Sequence, residues 1–352
     1  MRTSIHKLEK AWRKHAYERS SLIFNLVGIP LSMIYWLLSN VKRLIFWKIP
    51  GTQIKVSNRV ISVGNLTVGG SGKTPVIKYC LELLKDHSVC LISRGYGAQF
   101  QGSFARYDGT IKKWDRQGLF GDEVHEVLRI HPSINAAVGK QRALLALEQE
   151  KVEPDRILLY DDAFQYWRLA RNVDIVVIHG QKWLGSGRRF PLGPLREGPK
   201  ALQRATAVVV THPAHSNEFY ESKLKKLNFH GPVFLLKSEL ILFNENEQTI
   251  SNPPQKLLAC TGIAFPEQFF SDLRNSGYDI LITKSFPDHH QFSEDDIREI
   301  ANLLENFGAK GVVITEKDFS RWPGLKYVPT FTARQKLYCE NPDKLRNLLI
   351  DN

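Results

Sequence analysis

Cysteine is scarce in this chain: Cys80, Cys90, Cys260 and Cys339 are the four in 352 residues, with no CxxC pair and no zinc-type Cys/His spacing. That scarcity argues against a disulfide framework and fits a reducing compartment. Cys80, Cys90 and Cys260 lie in apolar runs, where a reduced thiol is a small core side chain. There is no internal repeat and no low-complexity tract, so neither a solenoid nor a long disordered tail is expected. No RNP, zinc-finger or helix-turn-helix signature occurs, and no nucleic-acid partner is expected. Acids are outnumbered: Lys plus Arg is 48 against 36 for Asp plus Glu, a formal net charge of +12. By itself this surplus favours anionic partners, whether nucleic acid, lipid headgroups or phosphorylated substrates. The 43% hydrophobic and 24% charged content is that of a folded protein with a sizeable core.

Long apolar runs are also missing. The longest, residues 22–38, is interrupted by Asn25, Pro30 and Ser32 and reaches only the lower limit for spanning a bilayer. Arg2, Lys7, Lys10, Arg13, Lys14 and Arg19 precede it, and Lys42, Arg43 and Lys48 come after it. The basic lead is too long for a signal peptide and no small-residue cleavage site is present beyond it. Residues 1–48 therefore read as a membrane anchor that lies in one leaflet rather than spanning.

Beyond residue 48 the chain carries a succession of short apolar runs at 60–63, 89–92, 157–160, 173–178, 207–210, 233–236, 257–259, 280–282 and 311–314, with helical stretches between them. Most are continuous rather than alternating, as in strands buried on both faces of a parallel sheet. The pattern predicts an α/β fold with a P-loop NTPase-like, mostly parallel sheet over 49–230. A smaller α/β domain with connecting strands is expected over 231–352, after the break at Asn228 to Pro232.

The densest chemistry comes directly after the first of these strands. Asn65-Leu66-Thr67-Val68-Gly69-Gly70-Ser71-Gly72-Lys73-Thr74-Pro75 runs from a buried strand through a Gly-rich loop into a helix. Glycines let successive N–H groups converge on phosphate oxygens, and a helix N-terminus adds favourable partial charge. Lys73 can neutralise β- and γ-phosphate charge, and Thr74 offers a hydroxyl to Mg²⁺. The general P-loop pattern wants Gly where this chain has Thr67; Gly64, Gly69 and Gly70 are expected to supply the backbone freedom instead.

Further acids sit at strand and helix ends. Asp161 and Asp162 close the run at 157–160, the place where such enzymes hold a metal. Asp122 and Glu123 open a helix, and Asp288, His289 and His290 come after the run at 280–282. Basic glycine-punctuated segments, Ser93-Arg94-Gly95-Tyr96-Gly97 and residues 184–197 with Arg188 and Arg196, suit phosphate oxygens.

In this order, with Thr261-Gly262-Ile263-Ala264 and Thr315-Glu316-Lys317-Asp318 completing them, the motifs resemble the tetraacyldisaccharide 4′-kinases, the lipid A 4′-kinase family of Gram-negative bacteria. The resemblance covers nearly the whole chain and includes the Thr67 departure. It implies ATP with Mg²⁺ as phosphoryl donor and the 4′ hydroxyl of a tetraacyldisaccharide 1-phosphate as acceptor, at the cytoplasmic face of the bacterial inner membrane. No obligatory protein partner is implied. By the same resemblance Asp122 is the base, paired with His289, and Lys73 is catalytic. Gly69, Gly70, Ser71, Gly72, Lys73 and Thr74 would bind ATP. Thr74, Glu123, Asp161 and Asp162 would manage the metal, and Asn65, Arg94, Tyr96, Gln165, Arg188 and Arg196 would bind substrate. Ala163 and Tyr166 stand where the family has Gly and His, so no role is carried over to residue 166. A membrane-associated P-loop ATPase without lipid phosphorylation is the alternative.

Overall fold

The computed structural model describes residue 12 and residues 22–49, 51–68, 71–95, 98–100, 103–115, 118–246, 248–250, 255–288, 290–323 and 328–351. Two compact units divide the chain: one comprises residues 1–237 and 338–352, the other Ser238–Leu337.

In the first unit, helix α1 (Leu22–Lys48) is followed by β1 (Val60–Asn65), α2 (Lys73–Leu83), β2 (Val89–Ser93) and an antiparallel pair, β3 (Phe104–Asp108) and β4 (Lys113–Trp114). Next come α3 (Asp122–Ile130), β5 (Asn135–Gly139), α4 (Arg142–Val152), β6 (Ile157–Asp161), β7 (Val173–His179), β8 (Ala207–Thr211), α5 (Asn217–Lys225) and β9 (Val233–Phe243), of which the residues up to Lys237 belong to this unit. The sheet order is β9-β8-β7-β1-β6-β2-β5-β3-β4, parallel from β9 to β5. All residues of β1, β2, β6 and β8 are buried, as continuous apolar runs require. Clusters around Val176, Val208, Tyr220 and Leu224, and around Ile92, Leu145, Leu158 and Tyr160, form cores of this unit. Burial pushes the Cys80 and Cys90 thiols up to about 12, which keeps them as inert packing groups.

In the second unit β10 (Leu257–Thr261), α6 (Pro266–Asn275), β11 (Ile280–Ser285), α7 (Glu294–Phe307), β12 (Val312–Thr315), the short helix α8 (Glu316–Phe319) and β13 (Thr330–Cys339) give the parallel order β11-β10-β12-β13. The chain then returns to the first unit as α9 (Pro342–Ile350), where Arg59 Nε donates to Leu349 O at 2.5 Å and Arg346 Nε to Leu83 O at 3.2 Å.

The apolar stretch that Asn25, Pro30 and Ser32 interrupt in the sequence forms one helix, α1, which runs through Pro30 to Lys48. Its inner side carries small or polar residues. Asn25 Oδ1 accepts from Arg188 at 2.6 Å, and Ser32 Oγ donates to Arg189 O at 3.2 Å. Tyr35 packs edge-on to Phe190 at 5.7 Å. Gly28 lies so close to Leu192 that a Cβ would come within 2.9 Å of its Cδ1. Leu26, Val27, Met33, Ile34, Leu37 and Leu38 are exposed. Among the described residues, no helix is long and apolar enough to cross a membrane.

Gly64 does not supply loop freedom: it lacks a positive φ, and a Cβ there would stand 2.6 Å from Phe164 Cβ and 2.9 Å from Phe164 N. Its role is close approach of β1 to the segment after β6. Gly64→Ala is therefore expected to lower the unfolding free energy by about 1–3 kcal/mol, read from urea denaturation. An unchanged midpoint would mean that this contact does not constrain the fold.

Candidate active site

β1 ends at Asn65 and α2 opens at Lys73, so the Gly-rich segment is a strand-to-helix loop at the carboxyl edge of the sheet, where parallel α/β sheets hold ligands. Gly72 precedes α2 with φ 80° and ψ 29°, a left-handed conformation that favours glycine. With no side chain at that position, the first-turn amides remain for an anion. The loop is braced on both flanks. Asn65 Nδ2 donates to Ser71 Oγ at 2.7 Å, and Thr211 Oγ1 to Ser71 O at 3.1 Å. Gln165 Nε2 donates to Asn65 O at 2.9 Å, and the Val68 amide to Pro194 O at 2.7 Å. Asn65 and Gln165, read from the resemblance as substrate contacts, thus hold the loop. Gly69 and Gly70 lie outside the described residues.

Next to the loop, Asp162 draws cations from two segments. Lys73 Nζ stands 3.5 Å from Asp162 Oδ1, and Arg196 Nη1 donates to both carboxylate oxygens at 2.7 and 2.8 Å. Burial works against ionisation of Asp162, but Lys73 and Arg196 outweigh it and hold the carboxyl below its ordinary range. Its backbone has φ 50°, unusual for a non-glycine residue, and its amide donates to Val63 O at 2.9 Å. Asp161, buried beside it, accepts from Ser93 Oγ at 3.3 Å. Burial, reinforced by the charge of Glu123 and opposed by Lys73, pushes the Asp161 carboxyl up to about 7.

Arg142, at the start of α4, carries no motif signal, yet it organises this corner. Its Nη1 donates to Asp161 O at 2.5 Å, and both terminal nitrogens reach Asp162 O at 3.3 Å. The guanidinium lies over the Tyr166 ring at 4.5 Å, and the Tyr166 hydroxyl accepts from the Ala143 amide at 3.0 Å. This contact gives the departing residue at 166 a structural role that its type alone does not disclose.

Asp122, the expected base, is the first residue of α3, after Gly121 with φ 91°, and its side chain lies outside the described residues. Glu123 and Arg94 are exposed. Arg188 donates to Asn25 on α1. Tyr96 and His289 lie outside the described residues. Among the described residues no three His, Cys, Asp or Glu side chains form a metal cage. Such a cage is not what Mg²⁺ needs, since it commonly takes one or two carboxylates plus phosphates and water. Thr74 and one carboxylate of the Asp161–Asp162 pair fit that donor set, and the α2 N-terminus with Lys73 fits a nucleotide's phosphates.

A family model described as tetraacyldisaccharide-1-P 4′-kinase matches residues 24–351. A protein of Desulfotalea psychrophila named tetraacyldisaccharide 4′-kinase is 31% identical over 336 residues, covering 92% of this chain and 94% of its own length. One of Shewanella halifaxensis with the same name is 33% identical over 297 residues, covering 82% of each. The crystal structure of an "apo" form LpxK from Aquifex aeolicus in complex with ATP superposes with a TM-score of 0.72 at 28% identity. It covers 93% of this chain and 98% of that one.

The raised Asp161 carboxyl has a consequence for stability. Below about pH 4 both folded and unfolded states hold the proton, and nothing is lost. As pH rises, the unfolded state ionises first, so the folded state is progressively penalised until its own carboxyl ionises near 7. Asp161→Asn is therefore expected to stabilise the ligand-free protein at pH 8, by on the order of a few kcal/mol, and to be neutral at pH 4. Equal melting shifts at both pH values would contradict this.

Proposed function

Because the chain belongs to the tetraacyldisaccharide-1-P 4′-kinase family, its activity is ATP-dependent phosphorylation of the 4′ hydroxyl of the tetraacyldisaccharide in lipid A biosynthesis, and we propose a division of labour among its residues. Lys73 and the first-turn amides of α2 take the β- and γ-phosphates. The observation that carries this is Lys73 held at the mouth of the loop, 3.5 Å from Asp162. An incoming polyphosphate competes with Asp162 for Lys73, and Arg196 keeps the carboxylate charged meanwhile. Thr74 and a carboxylate of the Asp161–Asp162 pair would hold Mg²⁺, which when bound would neutralise phosphate charge. Asp122 orients the acceptor hydroxyl and takes its proton, with His289 as a second proton-handling group.

The acceptor is a glycolipid that already carries a phosphate. A cavity of about 600 Å³ beside α1 is lined by Trp36, Arg43, Arg189, Arg196 and Lys200. Its cations suit a phosphorylated sugar headgroup. The outward apolar flank of α1 suits burial in the cytoplasmic leaflet of the inner membrane, where ATP is at hand and the flanking Lys42 and Lys48 meet anionic headgroups.

The test is incubation with γ-labelled ATP, Mg²⁺ and tetraacyldisaccharide 1-phosphate in detergent. Label is expected on the lipid and is lost with Lys73→Ala; label released only as free phosphate would favour a P-loop ATPase. In the same assay Asp122→Ala is expected to lower kcat at least about a hundredfold with KM for ATP unchanged. A few-fold loss would reassign the base.

A further inference from the structure

Arg142 is a buried cation whose bonds end on main-chain carbonyls. It is 6% exposed, and its terminal nitrogens donate to Asp161 O and Asp162 O rather than to either carboxylate. Its Nε has no hydrogen-bond partner among the described residues. A neutral amide donor could bond the same carbonyls, and burying a guanidinium with an unmet N–H is unfavourable. The compensation comes from the Tyr166 ring, which faces the guanidinium at 4.5 Å. A ring face stabilises the cation without occupying any N–H group, so the terminal ones stay on the carbonyls.

Tyr166 is held in place independently of Arg142. Its amide donates to Ala163 O at 2.8 Å, and its carbonyl accepts from Arg171 Nη1 at 2.6 Å. Arg171 is fixed in turn on Asp174 at 2.7 Å. The Tyr166 hydroxyl accepts from the Ala143 amide at 3.0 Å, one of the first-turn donors of α4. Gln141, the residue before α4, makes no such side-chain bond. On the other side the Tyr160 hydroxyl donates to Arg142 O at 2.9 Å, from a fully buried ring. Both ends of Arg142 are therefore fixed, the backbone by Tyr160 and the guanidinium by Tyr166. Beyond it stands Asp162, whose φ of 50° is a backbone conformation that surrounding contacts must hold.

We infer that Tyr166 is a positioning residue for the acids that would hold Mg²⁺: its ring fixes the Arg142 guanidinium, which fixes the peptide groups from which the Asp161 and Asp162 side chains extend. This rests on the reading of that pair as metal-bearing. An outer-shell contact of this kind sets the direction of a ligand without touching the ion. Stability alone is served by a hydroxyl on the Ala143 amide and an apolar neighbour. It has no use for a buried charge whose bonds end on these two carbonyls.

Calorimetric titration of Mg²⁺ into the full chain, carrying one equivalent of a non-hydrolysable ATP analogue, reads the pair without turnover. Tyr166→Leu is expected to weaken Mg²⁺ about tenfold per folded molecule and to leave the affinity for the analogue in Mg²⁺-free buffer unchanged. Tyr166→Phe keeps the ring and is expected to retain the parent's Mg²⁺ affinity. In an Arg142→Met background Tyr166→Leu is expected to add no further loss, because the ring then has no cation to place. Parent-like Mg²⁺ affinity in Tyr166→Leu would overturn the inference. So would a loss in Tyr166→Phe as large as in Tyr166→Leu, which would assign the effect to the hydroxyl on α4, or a multiplied loss in the double variant. Asp161→Asn and Asp162→Asn separate the two readings. If both bind Mg²⁺ like the parent, the metal assignment of the pair falls and the inference with it. If either weakens Mg²⁺ while Tyr166→Leu does not, only the inference falls.

Discussion

One carboxylate held between two cations governs the arrangement of the first unit. Asp162 sits on a backbone with φ 50°, between Lys73 from the Gly-rich loop and Arg196 from the loop that braces it. Three chain segments distant in sequence meet there, and each satisfies a charge that would otherwise destabilise the fold. Beneath them Arg142 grips the carbonyls of Asp161 and Asp162, so the acids are placed through the main chain and their carboxylates stay available. The arrangement balances charge among these three groups.

The same loop that carries Arg196 also docks α1. Arg188, the Arg189 carbonyl, Phe190 and Leu192 receive Asn25, Ser32, Tyr35 and Gly28. An ordinary surface helix buries its apolar stripe and exposes its polar one. This helix does the reverse: Asn25, Ser32 and Tyr35 face the loop while Leu26, Met33 and Leu37 are exposed. Helix α1, the cation-lined cavity and the Gly-rich loop are thereby linked by one short stretch of chain.

Much of this was legible in the sequence because burial on both faces leaves continuous apolar runs. β1, β2, β6, β7 and β8 begin where those runs begin, and Asp161 ends β6 with Asp162 directly after it. β5, Asn135–Gly139, is short and rich in alanine, and β3 and β13 mix buried with exposed positions, so none gives such a run. The return of α9 to the first unit rests on contacts from Arg59 and Arg346 that no local pattern encodes. Arg142 was silent for the same reason: its partners lie about twenty residues on and are main-chain carbonyls. Gly64 carried a misleading signal, because a glycine kept for close packing against Phe164 looks the same in sequence as one kept for a turn. That Asn65 and Gln165 brace the Gly-rich loop is likewise visible only in the geometry.

On the proposed division of labour, Asp162 holds Lys73 in reserve for a nucleotide's phosphates. A crystal structure with Mg²⁺ and a non-hydrolysable ATP analogue tests it most directly. Phosphates are expected seated over the amides that open α2, with the Lys73 ammonium moved from Asp162 onto the β- and γ-oxygens and the Arg196–Asp162 pair intact. A nucleotide bound elsewhere, with the Lys73–Asp162 contact undisturbed, would contradict it.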